Sequence, residues 1–280
     1  MRIGIVGAHG FIGSALREEL HDHEVVEFTR ERPITSEKGR TAAADLDAVV
    51  WAASSNTPAT LAANPGNAEQ EVREFSEGLD LLSDLNLDRL IVLSSGGTVY
   101  GHAPTPHDEG TQLEPVSDYG KLKAEIERVA KEKCPNVTIL RLSNVYGPGQ
   151  EGAGNQGVLA HWLTAIANGD QPVIYGDPEI ARDYVYVGDA VRGIRAALER
   201  DVRGTAINLG SGTPTSLNEL QSIVADVTGM VGGADLKPGR PYDNRSTWLR
   251  IERARELLDW EPTVSLQDGI RLMWKWKEQA

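Results

Sequence analysis

Apolar positions along this chain recur with two periods. Residues 2–6 form a short apolar run that ends at Gly7-Ala8-His9-Gly10. Beyond it Ile12, Ala15, Leu16, Glu19 and Leu20 fall at helical spacing, four of the five being apolar. A strand is expected over residues 23–28, which completes a strand, glycine-rich turn, helix and strand. Apolar runs at 47–52, 89–94 and 138–142 predict further buried strands, and 206–209 predicts a last one. Residues 182–187 predict a strand opening on a charged pair, Arg182-Asp183. Helices are expected over 69–85, after Tyr119, and over 158–168. In the first of these Val72, Phe75, Leu79 and Leu82 form a stripe, which core packing and a dimer seam explain equally well. Ser216, three residues before Glu219, marks a helix start of the capping-box type. About fifteen residues separate Arg32 from the strand at 47, short for a full βαβ excursion, so one strand–helix element is expected to be trimmed there.

Alternation of this kind predicts an α/β fold with a Rossmann-type, doubly wound parallel sheet and ligands at the carboxyl ends of its strands. After residue 146 a Gly-rich loop at 147–157 changes the character of the chain. The expected division is a dinucleotide-binding Rossmann domain, 1–146 with 183–211, and a smaller C-terminal substrate-binding lobe, 147–182 with 212–280.

Composition narrows the function. The chain has 280 residues, 40% hydrophobic and 25% charged, as a soluble globular protein has. Its formal net charge of −13 argues against nucleic acid and anionic membrane surfaces as partners. Cys134 is the single cysteine, so neither a disulfide framework nor a Cys-type metal cluster is expected. No run approaches the roughly 20 apolar residues of a membrane span, and the first residues enter a strand without a signal-type leader. A cytoplasmic protein without a metal is the expectation.

The candidate chemistry lies in two places. Gly7, Gly10 and Gly13, with Phe11 and Ile12 between them, stand between the first strand and its helix. Glycines there let the backbone turn tightly and approach a pyrophosphate seated on free helix amides. An acidic residue usually follows the second strand to bind the ribose of NAD. Thr29 stands at that place with Arg30 beside it. Arg30 can accept a 2′-phosphate, and it reads equally as a solvated surface charge; the expectation is NAD or NADP with a tilt to NADP. The second place is Tyr119 and Lys123, four residues apart on a predicted helix and so on one face. A free phenol titrates near about 10, and a fixed cation beside it favours the phenolate. Leu122, Ile126 and Val129 should turn that helix inward, leaving the pair at the margin, neither fully buried nor in solvent.

Several motifs stand in one order: Gly7-x-x-Gly10-x-x-Gly13, Ser94-Ser95-Gly96-Gly97-Thr98-Val99-Tyr100-Gly101, Tyr119-x-x-x-Lys123 and Arg141-x-x-Asn144-x-Tyr146-Gly147-Pro148. Arg182-Asp183-Tyr184-Val185-Tyr186-Val187-x-Asp189, Asn208-x-Gly210-Ser211-Gly212 and Arg240-Pro241-x-Asp243 follow. From residue 1 to about residue 266 the chain resembles the extended short-chain dehydrogenase/reductase family, in its nucleotide-sugar epimerase/dehydratase branch typified by UDP-glucose 4-epimerase. The resemblance implies that Tyr119 is the acid/base and that Lys123 binds the nicotinamide ribose and lowers the tyrosine pKa. Ala52, Ala53, Ser54 and Ser94 would border the cofactor. Asn144, Arg182 and Arg240 would hold the nucleotide diphosphate, with Leu159 contacting the base. The reaction implied is epimerisation at C4 of a UDP-hexose by reversible hydride transfer, in a homodimer. An NADP-dependent ketosugar reductase or dehydrogenase and a non-catalytic dinucleotide-binding protein are alternatives on the same fold.

Three positions depart from the family pattern. Gly96 stands where a Ser or Thr usually contacts the reacting hydroxyl, leaving Thr98 or Ser95 to supply one. Gly97 and Thr98 replace the Asp-Glu pair of the dehydratases, which argues against water elimination. Thr29 is the third departure.

Overall fold

The computed structural model describes residues 1–85, 87, 89–151, 157–239 and 246–279. Its first half alternates β1 (Arg2–Val6), α1 (Phe11–Glu19), β2 (Glu24–Phe28), α2 (Glu37–Ala43), β3 (Ala48–Trp51), α3 (Pro58–Ala63), α4 (Asn67–Asp84), β4 (Leu90–Ser95), α5 (Asp118–Lys133) and β5 (Thr138–Leu142). Then come β6 (Asn144–Tyr146), α6 (Val158–Ala167), β7 (Val173–Tyr175), β8 (Ala181–Tyr186), α7 (Val187–Glu199) and β9 (Ala206–Leu209). The chain ends with β10 (Pro214–Ser216), α8 (Leu217–Thr228), β11 (Asp235–Lys237), α9 (Glu252–Leu258) and α10 (Leu266–Gln279).

Among the described residues the main sheet has six parallel strands in the order β2-β1-β3-β4-β5-β9. The predicted doubly wound sheet is therefore observed. Only α2 lies between β2 and β3, which pair with opposite edges of β1, and β2 ends the sheet. This is the trimmed excursion. The reversal of strand order beside β1 opens a crevice at the carboxyl ends of β1 and β3.

Successive strand residues face opposite layers. Ala48, Val50, Ile91 and Leu93 pack beneath α7 and α9, whereas Val49, Trp51, Leu90 and Val92 pack against α4 and α5. That is why the strands are apolar at nearly every position. Phe75, Leu79 and Leu82 of the α4 stripe are at most 1% exposed within this second layer. The stripe thus belongs to the chain's own core, and each such side chain contributes about 1.5–3 kcal/mol on burial. A third cluster joins Tyr146, Leu159, Trp162, Ile174, Tyr184, Leu220, Val224, Ile270 and Met273 from β6, β7, β8, α6, α8 and α10. β6 is too short for the apolar pattern to reveal. The capping box of Ser216 and Glu219 forms as expected, with Glu219 N donating to Ser216 Oγ and Ser216 N donating to Glu219.

Buried polar groups join the layers. The guanidinium of Arg141 on β5 grips the Glu127 carboxylate on α5 with two bonds of 3.0 and 2.8 Å, both side chains being buried. Ser94 Oγ donates to the same carboxylate, and Arg141 donates to the Tyr100 hydroxyl, which donates to Asn208. Burial pushes the Tyr100 phenol up to about 12, so it stays a neutral donor. Asp183 accepts from Ser211 N, Ser211 Oγ, Gly212 N and Leu249 N. Asp189 accepts from Thr263 N, Val264 N and Arg192. No helix of the described residues is long and apolar enough to cross a membrane.

His107 is 1% exposed and stacks on Tyr100 with ring centroids 4.8 Å apart. Burial pushes its imidazole below the usual value, against smaller opposing effects of the Pro104 backbone and Asp108. Below about pH 6.5 the unfolded chain therefore binds more protons than the folded one, and stability falls with pH. The melting temperature should drop between about pH 7.5 and 5.5, with His107 contributing up to about 1.4 kcal/mol per pH unit. His107→Phe should flatten that part of the slope in parallel thermal melts.

Candidate active site

The glycine turn follows β1, and each glycine has a separate reason to lack a side chain. Gly7 has φ +90°, and a Cβ there would meet Ala53 N at 2.7 Å. At Gly13 a Cβ would lie 2.1 Å from Gly7 O, so α1 can pack on the turn only through a bare backbone. Gly10 is the N-cap of α1 and offers no side-chain acceptor to the first amides. Those amides point out of the helix start at the carboxyl end of β1, where an anion would satisfy them. Ala52, Ala53 and Ser54 follow β3 and flank the turn. This cradle fits a dinucleotide pyrophosphate.

At the end of β2, Thr29 N donates to Arg32 O and Arg32 N to Thr29 Oγ1. The Arg32 guanidinium turns back onto the Glu27 carbonyl. Arg30 is exposed and carries no ion pair among the described residues.

Helix α5 is started by Ser117, whose Oγ accepts from Gly120 N at 3.1 Å. A Cβ on Gly120 would lie 2.7 Å from Thr98 O, so the glycine lets the helix start close against the loop after β4. Tyr119 is half-buried there, and Lys123 Nζ lies 5.5 Å from its ring centroid. Lys123 itself is only 5% exposed, deeper than the marginal position expected for the pair. Leu122, Ile126 and Val129 draw the helix inward onto α4 and the sheet, and Lys123 follows them.

Glu71 is the residue the sequence pattern did not single out. It is buried on α4, and its Oε1 lies 3.9 Å from Lys123 Nζ. The same carboxylate accepts from Ser54 Oγ, Ser55 N, Ser55 Oγ, Asn56 N and Asn56 Nδ2. Its signal was present, since Glu71 stands four residues before Phe75 on the apolar stripe, where a charge needs a buried partner.

Ser94 on β4, expected to border the cofactor, is buried and donates to Glu127, so its hydroxyl serves the core. Ser95 and Thr98 are partly exposed, and Thr98 Oγ1 makes only a long 3.5 Å bond to Ser95 O. At Gly96 a Cβ would meet Leu249 Cδ1 at 2.7 Å and Arg141 O at 3.2 Å. Leu249 is buried beside Val99, Tyr100 and Ile251 and fills the space that a side chain at 96 would need.

Beyond this crevice a cavity of about 500 Å³ is lined by Asn144, Leu159 and Arg182 together with His161, Gln150 and Tyr184. The structure thus brings three of the expected nucleotide-binding residues to one cavity; Arg240 lies outside the described residues. Asn144 Nδ2 donates to Asp183 O, which seats it against β8. Leu159 is buried at the wall of this cavity.

A parallel sheet with a glycine turn at its switch point and a Tyr–Lys pair on the helix after β4 defines a protein of the extended short-chain dehydrogenase/reductase type. The chain belongs to the NAD dependent epimerase/dehydratase family, whose model matches residues 3–210. It is 34% identical over 203 residues to a putative UDP-glucose 4-epimerase of Methanocaldococcus jannaschii, covering 71% of this chain and 66% of that protein. It is 36% identical over 188 residues to a dTDP-4-dehydro-6-deoxyglucose reductase of Escherichia coli, covering 65% of this chain and 59% of that one. The matches thus span less than two thirds of these relatives' own lengths. A solved UDP-glucose 4-epimerase of Thermotoga maritima with UDP-glucose superposes with a TM-score of 0.89 at 28% identity, covering 100% of this chain and 99% of that one.

The fit of Leu249 against Gly96 can be measured. Gly96→Ser should destabilise the parent by about 1–3 kcal/mol in chemical denaturation through overpacking. In a Leu249→Ala background the same substitution should lose less than about half of that, as coupled neighbours do.

Proposed function

We infer that the protein is an NAD(P)-dependent nucleotide-sugar epimerase acting at C4 of a UDP-hexose. The observation that carries this is the Tyr119–Lys123 pair on α5, with Nζ 5.5 Å from the ring centroid and 3.9 Å from Glu71, which binds the loop beside the glycine turn. The cavity of Asn144 and Arg182 supports it, because a guanidinium fork pairs well with a diphosphate. So do the names of the Methanocaldococcus and Thermotoga proteins. In this reading Gly7, Gly10, Phe11, Ile12 and Gly13 hold the pyrophosphate, and Ala52, Ala53 and Ser54 border the cofactor. The dinucleotide, when bound, supplies the acceptor and donor of hydride. Tyr119 takes the proton of the sugar hydroxyl and returns it, while Lys123 binds the ribose and favours the phenolate. Thr98 or Ser95 provides the hydroxyl missing at Gly96. Residues 1–146 with 183–211 form the cofactor half of this scheme, and 147–182 with 212–280 the substrate half. A cytoplasmic homodimer completes the reading, with a seam other than the α4 stripe.

A second reading has its own observation. Thr29 stands where NAD enzymes usually carry an acid, Arg30 beside it is exposed, and the Escherichia coli relative is named as a reductase. An NADP-dependent ketosugar reductase would use the same Tyr119 chemistry but exchange its cofactor every cycle.

Tyr119→Phe should lower turnover at least about a hundredfold in a coupled epimerase assay, the low end for removing a proton-transfer group. Intact turnover would sink the assignment. Titration with both nucleotides should give tighter binding of NADPH than of NADH, and comparable affinities would remove the NADP tilt. Absorbance at 340 nm separates the two activities: lasting NADPH consumption with a 4-ketosugar, without epimer, favours the reductase.

A further inference from the structure

The α4 carboxylate of Glu71 joins three parts of the crevice that come from distant stretches of chain. Its Oε2 accepts four of the five hydrogen bonds from the loop after β3, from Ser55 N, Ser55 Oγ, Asn56 N and Asn56 Nδ2, at 2.8 to 3.1 Å. Its Oε1 accepts from Ser54 Oγ at 2.8 Å and faces Lys123 Nζ at 3.9 Å. The loop in turn abuts the glycine turn, where Ala53 N stands 2.7 Å from the position of a Gly7 Cβ.

The distances separate two roles for this carboxylate. Toward the loop it makes hydrogen bonds. Toward Lys123 it makes a charge contact too long for one. An ammonium that is 5% exposed needs a nearby anion. Glu71 gives it that anion while the ammonium's N–H donors stay available to a ligand. A hydrogen-bonded counter-ion at the usual shorter distance would occupy one of those donors.

We propose that Glu71 is a positioning residue for the dinucleotide, balancing the Lys123 charge at a distance that leaves its donors for the cofactor ribose, and clamping the Ser54–Asn56 loop on the other side of the crevice. This rests on the cofactor reading given above. Glutamine is the informative replacement. Its amide oxygen can keep the Oε2 bonds to the loop and its amide nitrogen can donate to Ser54, so Glu71→Gln removes the charge and spares the clamp.

The test is a double-mutant cycle on dinucleotide affinity, read by calorimetric titration of NADH and NADPH into the full chain without any sugar. Glu71→Gln should weaken binding about tenfold or more in the parent and less than about twofold in a Lys123→Met background. Equal losses in the two backgrounds would mean that Glu71 acts only through the loop, and no loss in either would mean that it does not act on binding; both overturn the proposal. If circular dichroism shows that Glu71→Gln does not fold, Glu71→Asp takes its place. It keeps the charge but withdraws it by a methylene, and should weaken binding at least about threefold with the same dependence on Lys123. A parent chain that binds neither nucleotide sinks the cofactor reading and this assignment with it, whereas a parent that binds while its variants bind equally well sinks the assignment alone.

Discussion

The bidentate contact of Arg141 with Glu127 is the constraint beneath the rest of this structure. Both side chains are at most 3% exposed, and removing one partner would leave a buried charge uncompensated, at about 3–5 kcal/mol. Ser94 and Tyr100 supply further bonds to the pair, so it is saturated rather than merely neutral. Glu127 lies one helical turn beyond Lys123 on α5, while Arg141 and Ser94 lie on neighbouring strands. The rotation of α5 about its axis is therefore set from below by an ion pair. The position of Tyr119 above is inherited from it.

Two further carboxylates fasten the C-terminal chain to this frame. Asp183 and Asp189 sit in and just after β8, and each accepts backbone amides from segments that come after the sheet is complete. Through Asp183 the segment carrying Leu249 is drawn down onto Gly96. The packing against Gly96 thus depends on a contact made by residue 183. Burial raises the Asp183 carboxyl, and donors from Ser211 and Leu249 pull it back toward the charged form.

Much of the architecture was legible because it depends on short-range pattern. Glycine spacing at 7, 10 and 13, apolar runs of strand length and the Tyr119–Lys123 interval each express a local geometry, and each lies on the element expected, although Lys123 sits deeper than its spacing suggested. What stayed hidden depends on pairs far apart in sequence. A single sequence shows that Gly96 lacks a hydroxyl, but not that Leu249 occupies the space. It leaves open which way the α4 stripe faces, because a core and a seam make the same demand on one helix. The depth of Lys123 follows from a counter-charge at Glu71, and nothing in the spacing of either residue announces the other. Arg240, expected at the nucleotide, lies outside the residues described.

The shortened connection after β2 has an effect on the molecule as a colloid. With no strand beyond it among the described residues, β2 is an open edge, a template to which a stray chain could add, and the Arg32 guanidinium already covers its Glu27 carbonyl. The strand carries its own deterrent. Glu24 is exposed and paired with Arg2, and Glu27 is paired with His9 and Arg17. The hydrogen bond from His9, with help from Arg17, holds the Glu27 carboxyl below the usual range, so that this charge persists into mildly acid solution. Charges at two of its five positions make the open edge a poor nucleus for cross-strand aggregation.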